Sequence, residues 1–352
     1  MRELFEAIRE LNPNAKNILA TGIEGPLFGE KIVISEDKAV FCTSEQLKLF
    51  AYFDAISKVD NNQKLTIEES TFYCEVIGSE KKLVICGGGH VSIPVIQMGK
   101  MLGFHVTVLE DRPFFADNAR RAGADVVLCE NFEAGLAKIA GDNDTFFVIV
   151  TRGHRFDMVC LEKIVPKPNA YIGMIGSKLR VKKVLEAVRE TLSQHSMYQD
   201  REEALDLAIM NIYSPIGLKI KAETPEEIAV SIMAELIMVK NGEAKTNAFT
   251  KDILKAVFDE EKRTMGKVLA TIISRKGSAP RGIGTKMIFL QDGSSVGTIG
   301  GGCAESDVQK KSILLMNEKT PKIYKVDMTG QDAEEDGMVC GGVIEVLLEP
   351  FH

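Results

Sequence analysis

The residues best suited to chemistry gather in the stretch Gly297-Thr298-Ile299-Gly300-Gly301-Gly302-Cys303-Ala304-Glu305. Gly300, Gly301 and Gly302 remove every β-carbon from one turn, so the backbone can take φ > 0 and approach a ligand closely. Cys303 follows at once, and a helix is predicted from about residue 304 to 317. A thiol at a helix N-terminus meets the positive end of the dipole, which favours thiolate. Glu305 stands in the same first turn and counts as a candidate contact. The plainer alternative is a glycine turn followed by a small buried hydrophobe, since free cysteine is often core. Cys340, in Met338-Val339-Cys340-Gly341-Gly342, is a second candidate thiol. The acidic run before it (Asp332, Glu334, Glu335, Asp336) reads as a solvated loop rather than a metal cage. Upstream, Ser278-Ala279-Pro280-Arg281-Gly282-Ile283-Gly284 offers an anion site: Ser278, Arg281 and the amides from Gly282 onward can hold a phosphate. Arg281 could equally be a surface turn residue, but Pro280 and two glycines fix its presentation.

A second set lies mid-chain. The apolar run 81–86 leads into Gly87-Gly88-Gly89-His90-Val91-Ser92, then an apolar helix to Leu102, then a strand 104–109 ending in Glu110-Asp111-Arg112. Strand, glycine turn, helix, strand, acid is the order of a Rossmann unit. Gly87 allows the tight turn, and Gly89 lets the backbone approach a pyrophosphate at the helix N-terminus, with His90 beside it. Glu110 or Asp111 is placed to take ribose hydroxyls. Ser92 stands where a third glycine is usual, which loosens the motif. Beyond a fully apolar strand at 145–150 comes Thr151-Arg152-Gly153-His154-Arg155-Phe156-Asp157. Residues just past the carboxyl end of a parallel strand face the ligand crevice, so Arg152 and His154 are candidates for phosphate or cofactor contact. The competing reading is that His154 and Asp157 cap the next helix.

These residues need elements to hold them. Strands at 125–129 and 170–177 continue the α/β alternation after 104–109 and before and after 145–150. Thr224-Pro225-Glu226-Glu227 opens a helix with a threonine N-cap, proline at N1 and a capping box. A strand at 266–274 leads to the Arg281 loop, strand 285–290 turns at Asp292-Gly293, and strand 295–299 delivers the chain to Gly300. The final strand is 343–348. Near the start, Leu4, Phe5, Ile8 and Leu11 recur at helical spacing, followed by strands 17–21 and 31–35 and a helix from 45 to about 58. Residues 17–21 match 267–271, residues 29–32 match 284–287, and Asp37 falls on Asp292, with a loop about five residues shorter in the first copy. Cys42 is then expected opposite Cys303, with the glycines missing. Chance similarity between short strand pairs is the alternative.

Composition bounds the rest. The 352 residues fit two or three domains. An apolar fraction of 45% and a charged fraction of 26% describe an ordinary globular chain. A net charge of −7 argues against nucleic acid as the main partner. There is no apolar run long enough to span a bilayer and no signal peptide, so no membrane is expected. Seven scattered cysteines fit reduced thiols and a cytoplasmic location. No CxxC or HxxxH pair suggests a structural metal. The fold class expected is α/β: a central Rossmann-like, doubly wound parallel sheet flanked by two smaller α+β domains, the N-terminal one a degenerate copy of the C-terminal one. The expected bounds are 1–80, 81–240, a linker at 241–250, and 251–352. A homodimer is expected, because two small sheet domains leave apolar edges to cover.

Gly-Gly-Gly-His-Val, Thr-Arg-Gly-His-Arg-Phe-Asp, Tyr-Ile-Gly-Met-Ile-Gly-Ser and Pro-Ile-Gly-Leu with Glu-Thr-Pro-Glu-Glu-Ile-Ala together resemble the XdhC/CoxI family, and so does the Arg281 loop with Gly-Thr-Ile-Gly-Gly-Gly-Cys-Ala-Glu. The resemblance covers nearly all of residues 81–352. One departure is order: the intact cysteine domain comes last here, where the family arrangement puts it before the Rossmann domain. The resemblance implies an accessory protein for xanthine dehydrogenase and related molybdenum hydroxylases, a cofactor-binding chaperone rather than a turnover enzyme. It would bind molybdenum cofactor (molybdopterin), assist its sulfuration with a cysteine desulfurase, and deliver it to the apoenzyme. A soft thiolate at Cys303 suits a persulfide or contact with the molybdenum-dithiolene head, and the glycine cradle and Arg281 suit the pterin phosphate. Two other readings stay open: an NAD(P)-dependent oxidoreductase with His154 as acid–base, and a nucleotide-sensing assembly scaffold.

Overall fold

In the computed structural model of the protein, the described residues are all but 13, 44–48, 79, 243–248, 278, 280, 319, 329–341 and 352, together with the side chain of Cys303. The chain divides into two compact units, one of Met1–Ser79 with Ala244–His352, the other Glu80–Glu243.

The first unit opens with helix Arg2–Arg9 and an antiparallel sheet. Its strands are β1 (Asn17–Glu24), β2 (Lys31–Ser35), β3 (Lys38–Cys42), β4 (Gln63–Ile67) and β5 (Ser70–Ile77), in the order β3-β2-β1-β5-β4. The sequence pattern predicts β1 and β2 but not the other three. β3 and β4 are edge-ward and mostly exposed or half-buried, so they lack an apolar signal. β5 is buried at every position, so it shows no alternation. Of the helix expected at 45–58, residues 44–48 lie outside the described ones, and the rest is helical at 49–50 and over Phe53–Ile56, with a turn between.

The second unit is a parallel sheet of β6 (Lys82–Cys86), β7 (His105–Leu109), β8 (Val126–Leu128), β9 (Thr145–Ile149) and β10 (Tyr171–Met174), ordered β10-β9-β6-β7-β8. Both faces are covered. Val84, Cys86, Phe147 and Ile149 pack on one side with Leu161 and Val184, while Leu83, Ile85, Phe146 and Val148 pack on the other with Val95 and Ile232. Burial on both faces is why β6, β9 and β10 read as continuous apolar runs. Strand order reverses between β6 and β9, which opens the crevice where such folds take ligands. The helix Pro225–Gly242 has its expected capping box: Thr224 Oγ1 accepts from Glu227 N at 3.3 Å, and Glu227 Oε2 accepts from Thr224 N at 3.1 Å. The linker expected at 241–250 falls mostly outside the described residues.

Back in the first unit, helix Lys251–Phe258 precedes a second antiparallel sheet. Its strands are β11 (Lys267–Lys276), β12 (Lys286–Leu290), β13 (Ser295–Gly297), β14 (Lys322–Asp327) and β15 (Val343–Phe351), ordered β13-β12-β11-β15-β14. This repeats the first sheet strand for strand, each sheet with a helix before its first strand. The register matches too. Thr21 faces Lys31 as Thr271 faces Lys286, and each long strand carries a bulge, at Gly22/Glu24 and at Ile272/Ser274. Gly29 bonds back to Gly22 as Gly284 bonds back to Ile272, both glycines at φ near 90° (86° and 89°). The N-terminal sheet is a copy of the C-terminal one with a shorter first loop. One expectation fails: Cys42 pairs with Ile32 as Gly297 pairs with Met287, so Cys42 is the counterpart of Gly297 and not of Cys303.

Candidate functional site

Chain direction brings the C-terminal candidates to one end of the second sheet. β11 runs out toward the Arg281 loop, β12 returns from it, and antiparallel β13 leaves from beside the start of β12, because Gly297 faces Met287. The turn 298–301 therefore lies at the same sheet end as the loop 277–285. Met328 and Gly342, joined by a 2.9 Å backbone hydrogen bond, flank the far side of that end, where Lys276 and Asp327 both face Val343. Ala279 and Ala304 also pack in one apolar cluster with Ile299 and Val308. Cys340 and Ser278 lie outside the described residues, and of Cys303 the backbone alone is described.

The glycines of the turn all take positive φ: 88° at Gly297, 134° at Gly300, 74° at Gly301 and 66° at Gly302. Conformation thus requires glycine here. Among the described residues, a Cβ at Gly301 or Gly302 would meet nothing within 4 Å, so there the turn has space in front of it. The helix starts two residues earlier than expected, at Gly302–Leu315, which sets Cys303 as its second residue. Glu305 does not face outward from the cradle. Its Oε2 accepts from Thr298 Oγ1 at 2.7 Å and from Gly301 N at 2.9 Å, while Thr298 Oγ1 also accepts from Gly300 N at 3.1 Å. Part of the turn's amide set is thus already neutralised by a carboxylate. Thr298 is a site residue that the sequence pattern did not single out; its spacing two residues before Gly300 was the available signal. Arg281 and Gly282 are exposed, and among the described residues a Cβ at Gly282 would also meet nothing within 4 Å.

In the second unit, Gly87 sits where β6 passes β9. Its φ of 114° and the Val150 carbonyl, 2.6 Å from where a Cβ would stand, both require glycine. Ser92 replaces the third glycine with a bond: its hydroxyl donates to the Gly87 carbonyl at 2.6 Å and is fully buried. Gly89 differs, having ordinary φ and, among the described residues, nothing within 4 Å of where its Cβ would stand. His90 is exposed beside it. Glu110, wholly buried, accepts from Gly88 N at 2.7 Å, from Arg112 N at 3.0 Å, and from the Arg112 guanidinium at 2.8 and 2.9 Å. Arg152 holds Asp111 through two bonds of 2.5 and 2.8 Å, and this holds the Asp111 carboxyl down at about 2. Both acids expected to take ribose hydroxyls are therefore already engaged by arginines. Arg112 was missed as a site residue. Its guanidinium lies 3.8 Å from the Phe115 ring centre, and that of Arg152 lies 3.9 Å from Phe156.

His154 is exposed at the first residue of helix His154–Ile164. Asp157 is buried, bonded to Thr151 Oγ1 at 2.5 Å and paired with Arg180, so it braces the loop instead of facing the crevice; burial raises its carboxyl pKa. The glycine-cysteine turn and the Gly87 turn belong to different units. Among the described residues no group of three or more His, Cys, Asp or Glu is placed to hold a metal ion, and no helix is long and apolar enough to cross a membrane. Cys42, Cys74, Cys86, Cys129 and Cys160 are free thiols.

Comparison with known proteins matches residues 83–236 to the XdhC Rossmann domain and residues 263–327 to the XdhC and CoxI family. The chain is 29% identical over 170 residues to an uncharacterized protein, YqeB, of Escherichia coli, covering 48% of this chain and 29% of that protein. It is 26% identical over 173 residues to a probable xanthine dehydrogenase subunit from Bacillus subtilis, covering 49% of this chain and 47% of that one. The matches thus span less than half the length of either relative. A solved structure described as a xanthine dehydrogenase from Bacillus halodurans aligns with a TM-score of 0.41 at 19% identity, covering 68% of this chain and 94% of that one. With a Rossmann unit and a glycine-cysteine sheet domain both matched on one polypeptide, the chain belongs to the XdhC/CoxI family.

Proposed function

We propose that the chain is an accessory protein for a xanthine dehydrogenase-type molybdenum hydroxylase, holding molybdenum cofactor in its molybdopterin form and assisting its sulfuration and insertion. The observation that carries this reading is the shared sheet end of the glycine-cysteine turn and the Arg281 loop, in a fold whose first copy does without both. What supports the fit is the open space before Gly282, Gly301 and Gly302. Arg281 and the Gly282 amide would take the cofactor's phosphate. Glu305, a carboxylate, repels phosphate and suits N–H donors on the pterin. Cys303 would hold transferred sulfur or the metal-dithiolene head. Bound there, the cofactor would supply the redox metal centre its hydroxylase needs. A cysteine desulfurase would provide the sulfur, and the hydroxylase apoenzyme would receive the product. In cells lacking this chain, hydroxylase activity should return with the wild-type protein and stay below about a tenth of that with Cys303→Ala. Equal rescue by both would contradict the proposal.

For the second unit we infer a bound nucleotide, NAD(P) or a relative, along residues 87–90. Gly89 supports this, since neither its φ nor any protein neighbour calls for glycine. Calorimetry with NAD, NADP, ATP and CTP tests it: no heat with any of them would remove the inference. Hydride transfer with a bound nicotinamide would instead support an oxidoreductase with His154 as acid–base.

A further inference from the structure

The two antiparallel sheets of the first unit meet through exchanged partners. Lys31 on β2 donates to Thr21 of its own sheet at 2.9 Å and pairs across with Glu349 on β15 at 2.5 Å. Lys286 on β12 donates to Thr271 of its own sheet at 3.1 Å and pairs across with Glu75 on β5 at 2.9 Å. These residues are equivalents. Thr21 faces Lys31 as Thr271 faces Lys286, and Leu19 faces Glu75 as Leu269 faces Glu349. All four charged side chains are at most 6% exposed. The apolar contacts repeat the exchange. Ile23 and Ile273 are equivalent, Tyr73 and Leu347 are equivalent, and these four form one buried cluster. Leu19, Val33 and Ile77 pack with their counterparts Leu269, Ile288 and Phe351 in another.

Reciprocal contact between equivalent residues is the mark of an isologous two-fold interface, here closed within one chain. The apolar clusters favour any similar face. The buried charges select, because each lysine needs a glutamate opposite and cannot tolerate another lysine there. We propose that the N-terminal sheet domain is a built-in partner, occupying the face through which the C-terminal domain would otherwise pair with a second copy of itself. The face accepts one kind of occupant: a sheet domain with lysine and glutamate at the equivalent positions. It also leaves a single glycine-cysteine turn per pair. This pairing buries apolar faces of both sheets, whereas the homodimer expectation rested on sheet edges.

The test reverses both charges of the N-terminal copy, Lys31→Glu with Glu75→Lys, in the full chain. Within that chain each of these four charges then faces its like. Between two chains, Lys286 of one meets Glu349 of the other in both directions, and the two altered N-terminal copies match as well. Light scattering should give at least twice the wild-type mass. The fourfold variant, adding Lys286→Glu and Glu349→Lys, restores opposite charges within the chain and should return the wild-type mass. A folded double variant of wild-type mass would overturn the proposal. So would a double variant that unfolds while the fourfold one folds, since the face would then not pair with its own kind. A fourfold variant that fails to fold or to recover the wild-type mass would also overturn it.

Discussion

Glu305 decides which ligand chemistry the glycine turn can accept. Its carboxylate takes the Gly301 amide and the Thr298 hydroxyl, so a phosphate placed there would meet a like charge. The motif invites an anion reading, because three glycines before a helix usually mean exposed amides. A glutamate at the fourth helical residue was visible in the sequence, but its return to the turn depends on φ values that composition does not reveal. The same holds in the second unit, where Glu110 and Asp111 were legible as acids and their arginine partners were not. Arg152 is forty-one residues from Asp111 and meets it only because β7 and β9 end on the same side of the sheet. That contact has a direct readout. Carboxyl NMR should give Asp111 a midpoint of about 2, and Arg152→Ala should raise it toward the unperturbed value of about 3.9. Because the folded pKa is depressed, the pair's contribution is present above about pH 3.9 and fades as pH falls through about 2. A midpoint unmoved by the substitution would show that the two side chains do not pair in solution.

At the scale of elements, glycines separate what folding needs from what a ligand needs. Gly87→Ala must place a Cβ 2.6 Å from the Val150 carbonyl at φ 114°, and should cost about 1–3 kcal/mol in denaturant unfolding. Gly89→Ala meets no atom and should leave stability within about 1 kcal/mol of wild type while weakening nucleotide binding about tenfold or more. If Gly89→Ala binds nucleotide as the wild type does, the turn is not the binding surface. β6, β9 and β10 were legible because both faces are covered and the apolar runs are bounded by glycine. β3 and β4 were not, since a half-exposed edge strand has little apolar content to read. Cys42 corresponds to Gly297 and not to Cys303, because short matches fix strands and not the register of an edge hairpin, which the pairing with Ile32 sets.

At the scale of the whole chain, duplication is the organising fact. Both sheets keep the same strand order, bulge and left-handed glycine, and they are joined by two buried lysine–glutamate pairs. Lys286→Ala would strand Glu75 in a buried site, and should cost about 3–5 kcal/mol of stability by urea unfolding. A loss below about 1 kcal/mol would mean that this pair is wet and contributes little to holding the two sheets together. Short strand matches in the sequence pointed to the duplication, whereas the exchange of partners between copies is a property of packing that no local pattern carries. The copies differ where function is proposed, for the first lacks the Arg281 loop and the glycine run. The most direct test is therefore the pterin content of purified protein from cells that make molybdenum cofactor, read by fluorescence after oxidative release. The account predicts about one pterin per wild-type chain, almost none with Cys303→Ala, and wild-type content with Cys42→Ala. Pterin absent from the wild type, or retained in full by Cys303→Ala, would contradict it.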